Sequence, residues 1–287
     1  MTKHEQIRHT LAVIGFVVQI IGRVLLGAFL VVMLALVICA GAFGLYVRSE
    51  LLPKAEVDVG NIDMNLTSKI YYTDNETGER VELTQLYGSQ NRVWVNYDEI
   101  PKDLIDAFIA IEDERFLSHK GVDWRRTLGA VMNVVMPFSG NFGGSTLTQQ
   151  LIKNLTDEKD VTIQRKALEI LRALNLERRL SKEQILEMYL NTVYLGQNAY
   201  GIRAAAEVYF GKPVSELTLA ECASLAGITN SPTYYDPFQN RTNNKRRQKL
   251  ILAKMLELGS ITENEYRAAL KEPLNFHSGD GEETKDE

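Results

Sequence analysis

From Val24 to Val47 the chain reads VLLGAFLVVMLALVICAGAFGLYV, without one charged residue. As a helix rising about 1.5 Å per residue, this run reaches roughly 36 Å, enough to cross a hydrocarbon core of about 30 Å with some tilt. Lys3, Arg8 and Arg23 precede it. The positive-inside rule therefore expects residues 1–23 in the cytoplasm or at its interface, and everything after Arg48 outside. The apolar stretch 11–22 is expected either to prolong the helix or to lie along the interface, with Arg23 snorkelling to the headgroups. A cleaved signal peptide competes with the anchor, helped by Ala40, Gly41 and Ala42, but the apolar part of such a peptide is only about 7 to 15 residues long.

A single span does not use up the chain. With 287 residues, 45% hydrophobic and 24% charged, there is material for one large globular domain or two small ones. The formal charge of −5 argues against a nucleic-acid partner, since phosphate binding normally requires a basic excess. Cys39 and Cys222 lie in an apolar run and a distant alanine-rich stretch, so they form no disulfide framework.

Punctuation divides the rest. Residues 48–100 read as a juxtamembrane β-hairpin linker: KIYYT (69–73), the turn-rich DNETGE, RVEL, and a further strand-like RVWVNY (92–97). From Pro101 to about residue 272, helical signals dominate. Capping boxes are legible at Thr146 with Gln149, Ser181 with Gln184, Thr218 with Glu221 and Thr262 with Glu265, and Gly211 and Gly259 stand where helix C-caps are expected. Given mean helix lengths near 11 residues, a mainly α body of about seven to nine helices is expected. The acidic tail 273–287, ending SGDGEETKDE, is expected to lack order.

Three constellations carry chemistry. In FIAIEDERFLSHKG (108–121), Leu104, Phe108, Ile111 and Phe116 make an apolar stripe. Glu112 falls on that stripe, while Asp113 and Glu114 point to other faces. A carboxylate among apolar groups is desolvated and suited to take a proton near neutral pH. The bland alternative is a solvated face with Glu112 paired to Arg115. In GNFGGSTLTQQLIKN (140–154), glycines lead into hydroxyls and amides at a helix start, an arrangement that can hold an anion or a sugar. Leu147, Leu151 and Leu155 pack beneath, and Lys153 adds a cation. In the third stretch, 162–191, Ile163, Ala167, Ile170, Leu171 and Leu174 are expected to form one buried face. Arg165, Glu169 and Arg172, with Lys166 beside them, lie on another, which exposed ion pairs would also explain. Glu187, Tyr189 and Asn191 follow on the next helix as substrate contacts or as internally partnered core groups.

These residues resemble a known family. EDERFLSHKG is similar to the E-D-x-x-F-x-x-H-x-G signature of peptidoglycan glycosyltransferases of family 51, and GGSTLTQQ to its G-G-S-T-I-T-Q-Q segment. RKALE matches R-K-x-x-E, KEQILEMYLN resembles K-x-x-I-L-E-x-Y-L-N, and RQKLIL fits the looser R-x-x-x-V-L. The departures, Leu147 for Ile and Ile251 for Val, change little chemically.

The resemblance, over about residues 100–260, implies a lysozyme-like α fold with a membrane-associated jaw. It also implies polymerisation of lipid II on the outer face of the bacterial cytoplasmic membrane, with inversion at the anomeric carbon and sensitivity to moenomycin. By motif match Glu112 would be the general base and Glu169 the second carboxylate, while Lys153, Arg165 and Lys166 would hold pyrophosphate. The other matched positions, expected to meet lipid II and the nascent glycan strand, are Asp113, Phe116, His119, Gly144, Ser145, Thr146, Thr148, Gln149, Gln150, Asn154, Glu187, Tyr189, Asn191 and Arg247. Glu169 could recruit a divalent cation, Mg or Mn, and no organic cofactor is expected. His119 reads more readily as a structural hydrogen-bonding group than as a catalytic acid. Partner proteins of cell-wall synthesis are compatible with the family.

Two rival readings remain: a lysozyme-like lytic enzyme, which has no use for cations facing a pyrophosphate, and a non-catalytic glycan-binding scaffold. The family occurs alone and as the N-terminal half of bifunctional class A penicillin-binding proteins. S-x-x-K, S-D-N and K-T-G do not occur in these residues, so a truncated bifunctional enzyme is a further expectation.

Overall fold

The computed structural model describes residues 3–56, 68–73, 80–86, 94–135, 144–156, 162–277 and 283–284. Two compact units divide at Lys54. In the first, helix α1 runs unbroken from Lys3 to Tyr46 and continues as a π-helical turn, Val47–Leu51. No boundary falls at Arg23. The 11–22 stretch prolongs the helix, because nothing in it breaks the hydrogen-bond ladder. Among the described residues α1 is the one helix long and apolar enough to cross a membrane. From Ile14 to Leu45 its side chains, Leu25, Phe29, Leu34 and Val37 among them, are exposed.

The second unit opens with the expected hairpin, β1 (Ser68–Thr73) antiparallel to β2 (Arg80–Leu86), with a register break between Ile70 and Tyr71. The strand expected at 92–97 does not form in its described part. Residues 94–96 are irregular and Tyr97–Glu99 is a 3₁₀ turn. Side chains replace the ladder there: the Asn191 amide accepts from Val95 N (2.8 Å) and donates to Val95 O (2.8 Å).

Nine α-helices are described after Pro101: α2 (Lys102–Glu112), α3 (Trp124–Val135), α4 (Leu147–Thr156), α5 (Ile163–Arg179), α6 (Lys182–Thr192), α7 (Ile202–Phe210), α8 (Leu219–Ile228), α9 (Arg241–Glu257) and α10 (Glu263–Lys271). All four capping boxes are made. Gly211 is left-handed at the end of α7, and Gly259 has a positive φ just past α9. A short antiparallel pair, β3 (Phe276–His277) and β4 (Glu283–Thr284), places part of the tail that was expected to lack order.

Helix α8 sits at the centre. From Ala220 to Ile228 every residue is buried, as expected of a helix apolar on all sides. It packs against α2 and α9, while α4 packs against α5 and α6. Burial, with Asp103 and Glu221 nearby, pushes the Cys222 thiol well above its usual range, so this cysteine is an inert core group. Phe108 and Phe116 are fully buried, as their stripe requires.

Helix α5 corrects its sequence reading. Ile163 is 82% exposed, and Ala167, Ile170, Leu171 and Leu174 are only partly covered, whereas Leu168, Glu169, Ala173 and Leu176 are buried. The face is rotated because a carboxylate neutralised by neighbouring cations can be buried where periodicity alone expects only apolar groups.

Candidate active site

Helix α2 ends at Glu112, and the chain turns at Asp113. The partly buried Glu112 carboxylate accepts one hydrogen bond on each oxygen: from Gln150 Nε2 to Oε2 (2.8 Å) and from Thr229 Oγ1 to Oε1 (2.5 Å). Gln150 is itself oriented, since its Oε1 accepts from the Tyr189 hydroxyl (3.1 Å). Tyr189 is fully buried with its ring edge-on to Phe108. Burial, and then the charge of Glu112, pushes its phenol well above the usual range, so it acts as a neutral donor. The chain Tyr189–Gln150–Glu112 fixes a carboxylate from three helices, α6, α4 and α2.

Asp113 does not face away, as the helical wheel suggested. It is fully buried. Its oxygens meet His119 Nε2 at 3.1 and 2.9 Å, accept from Leu147 N (3.0 Å) and lie 3.7 Å from Arg126 Nη1. Arg126 also donates to the Glu112 carbonyl (2.8 Å). His119 is thus a structural partner. Gly121 closes the loop with φ +85°, and an added Cβ would stand 2.7 Å from Ala173 O. Of the first signature, only Glu112 offers its side chain for chemistry, while Asp113, Phe116, His119 and Gly121 hold the loop.

The loop leads into α3 through Asp123, which accepts from Arg125 N (3.0 Å) and Arg126 N (3.1 Å) and pairs with Arg115. Burial pushes this carboxyl up, but the hydrogen bonds from Arg126 and Arg115 outweigh it and hold the group below its ordinary value. A lowered folded-state pKa contributes stability that is complete above the unfolded value, about 3.9, and is lost as pH falls through the folded one. Asp123→Asn keeps a competent cap and removes the charge. Denaturant unfolding is expected to show wild type more stable than this variant at pH 7, with the gap closing in acid.

The second segment divides similarly. Thr146 and Gln149 cap α4, Thr146 Oγ1 also donates to Gly121 O (2.6 Å), and Thr148 Oγ1 donates to Glu177 (2.7 Å). These three are buried structural groups. The open helix N-terminus expected to take an anion is closed, because Asp113 and Thr146 already occupy the N–H groups of Leu147 and Gln149. Ser145 and Gln150 face reactive side chains. Ser145 Oγ accepts from Lys166 Nζ (2.8 Å), Lys166 also pairs with Glu169 Oε1, and Arg165 lies 3.5 Å from Glu169 Oε2. Glu169 is 5% exposed. Both cations flank Glu169 and are partly open to solvent. Lys153 is exposed and Asn154 partly so, so the cation brought to the start of α4 is Lys166. Gly144 is partly exposed beside Ser145, whereas Gly140 and Gly143 fall outside the described residues.

Three further expectations change. Glu187 accepts from Trp94 Nε1 and Tyr97 N, both at 2.9 Å. Together with Asn191 it fastens residues 94–97, so both have a role in the fold. Arg247 packs across the Tyr235 ring at 5.5 Å and against Gly227, and so joins α9 to α8. For a divalent cation the donors do not fit. Both Glu169 oxygens already face cations, and no group of three or more His, Cys, Asp or Glu side chains suited to a metal occurs among the described residues.

A family model described as Transglycosylase matches residues 79–256. The chain belongs to this transglycosylase family. Penicillin-binding protein 1A of Pseudomonas aeruginosa is 40% identical over 229 residues, 79% of this chain and 27% of that protein. The protein of the same name from Clostridium perfringens strain 13 is 42% identical over 238 residues, 80% of this chain and 34% of that one. A crystal structure of penicillin-binding protein 1A from Haemophilus influenzae aligns with 74% of this chain and 21% of its own, at 27% identity and a TM-score of 0.43. The chain therefore spans about a third or less of the length of these relatives. Thr229 and Arg126, both touching Glu112, are the site residues that sequence reasoning missed. Thr229 lies 117 positions from Glu112, and no local pattern marks it.

Proposed function

We propose that this transglycosylase-family chain polymerises lipid II into β-1,4 glycan strands, with inversion at the anomeric carbon and release of undecaprenyl pyrophosphate. The observation that carries the reading is the Glu112 carboxylate, oriented by Gln150 and Thr229. The cations Lys166 and Arg165 of α5 gather around Glu169, and Lys166 is tied to Ser145 just before α4, the helix that carries Gln150. Glu112 takes the proton of the acceptor sugar's 4-hydroxyl as that oxygen attacks the anomeric carbon of the donor. The bond from that carbon to the pyrophosphate oxygen breaks, and its electron pair leaves with the pyrophosphate. Such a leaving group needs positive charge more than a proton, and Lys166 and Arg165 supply it. Glu169 positions the two cations.

A lipid-linked substrate also suits the surface. Leu117, Trp124, Leu128 and Ile163 are all at least 60% exposed, which supports contact of this unit with a bilayer. The apolar run from Val24 within helix α1, with Lys3, Arg8 and Arg23 before it, supports a single-pass protein of the bacterial cytoplasmic membrane with its N-terminus inside. The nascent strand and other cell-wall synthesis proteins are its proposed partners.

The test is polymerisation of fluorescent lipid II by detergent-purified protein, resolved on a gel. A ladder of long glycans is expected. Shortening of pre-formed glycan without any polymer would instead establish a lytic enzyme. Within this assay, Lys166→Ala is expected to lower turnover by roughly 10- to 100-fold, the scale of one lost charged hydrogen bond, and Lys166→Arg to restore part of it.

A further inference from the structure

The Thr229 hydroxyl stands between two acceptors: Glu112 Oε1 at 2.5 Å and the Ala226 carbonyl, one turn back in α8, at 2.9 Å. A hydroxyl has one proton to donate and lone pairs to receive another. It can donate to only one of those oxygens fully at a time. On the other side of the carboxylate, Gln150 presents an N–H to Oε2 while its own oxygen is held by Tyr189. An amide N–H donates and cannot receive, so the partner at Oε2 is fixed and the partner at Oε1 can reverse.

Resting on the general-base reading of Glu112, we propose that Thr229 is a catalytic residue that serves both protonation states of the base. Before reaction its O–H donates to the Glu112 carboxylate. As the acceptor hydroxyl gives its proton to Glu112 Oε1, the acid so formed donates to Thr229 Oγ, and the Thr229 proton turns to the Ala226 carbonyl. The Thr229 O–H only rotates; the acceptor O–H breaks and an O–H forms on Glu112 as the acceptor oxygen bonds to the anomeric carbon and the pyrophosphate departs. The base gains a partner at each stage instead of losing one when it becomes neutral. That arrangement lowers the cost of the proton transfer itself, not of substrate capture, and so acts on kcat. Thr229 caps the C-terminal end of α8, whose residues Ala220 to Ile228 are all buried, so the hydroxyl is held at the end of a well-packed helix.

The experiment compares wild type, Thr229→Val, Thr229→Ser and Glu112→Gln in steady-state lipid II polymerisation, with thermal unfolding of each. Thr229→Val matches the shape without the hydroxyl and is expected to lose about 10- to 100-fold in kcat, the size of a lost hydrogen bond to a charged group. KM and Tm should stay near wild type, and Thr229→Ser should recover most of the rate. Wild-type kcat in a folded Thr229→Val, with Glu112→Gln inactive, would overturn this role for Thr229 and leave the glycosyltransferase reading standing. Equal loss in the Ser and Val variants would also overturn it, since the hydroxyl would then not be what matters. A wild type that makes no polymer would instead remove the reading on which the role rests.

Discussion

Glu112→Gln is expected to abolish glycan polymerisation, with a loss of about 10² to 10⁴ in kcat, the range for removing a general base, and almost no change in stability. The two halves of that expectation come from the same contacts. Glutamine has the shape of glutamate, so its oxygen can still accept from Gln150 where Oε2 does now. Its NH₂, placed at the Oε1 position, can donate to Thr229, whose hydroxyl has Ala226 O as an alternative acceptor. The variant thus resembles the protonated enzyme and keeps its packing. What it lacks is an oxygen basic enough to receive the sugar proton. Polymer length on a gel and Tm by calorimetry measure the two halves separately. A Glu112→Gln protein with wild-type turnover would move the base elsewhere in the site.

Asp113→Ala, one position along, is expected to do the reverse and fail at folding. The carboxylate is fully buried and partners His119, the Leu147 amide and, at longer range, Arg126. Removing it leaves the buried Leu147 N–H without its acceptor and the His119 ring without its partner. Truncating one side of such a buried network costs about 3 to 5 kcal/mol, a large share of a typical domain's stability of 5 to 15 kcal/mol. Denaturant titration is the appropriate measurement. A midpoint within error of wild type would show that the loop is held mainly by Phe116 and Gly121.

Much of this arrangement was legible in the sequence, for physical reasons that differ from residue to residue. Capping boxes are local, so Thr146, Ser181, Thr218 and Thr262 announced their helix starts correctly. Of the stripe through Leu104, Phe108, Ile111 and Phe116, Leu104 and Phe108 are buried on α2 as periodicity expects, Ile111 is only partly covered, and Phe116 is buried beyond the end of the helix. Helical periodicity failed where charge overrides it. On α5 it ranked Ile163 as buried and gave no reason to bury Glu169, because it cannot register that Lys166 and Arg165 neutralise the carboxylate. It failed again at Asp113, which a continued helix would turn away from the core but which the turn after α2 directs inward. Thr229 was invisible because its partner is set by tertiary packing of α8 on α2 alone. The substrate-binding expectation for Glu187 and Asn191 arose from their motif, and the same side chains hold residues 94–97, Glu187 through the Trp94 indole and Tyr97 N and Asn191 through Val95 N.

The two carboxylates of Glu112 and Asp113 sit on consecutive residues, one directed to the reaction and the other to the architecture. Arg126 grips the carbonyl between them. The frame therefore has no slack. Lengthening or shortening the chain by a single residue between Asp113 and Gly121 would pull His119 off Asp113 or the Gly121 carbonyl off Thr146, and so unseat the turn that leaves Glu112 facing the reaction. A designer could graft new surface onto the exposed Ser118 or Lys120 of this loop, but not alter its count.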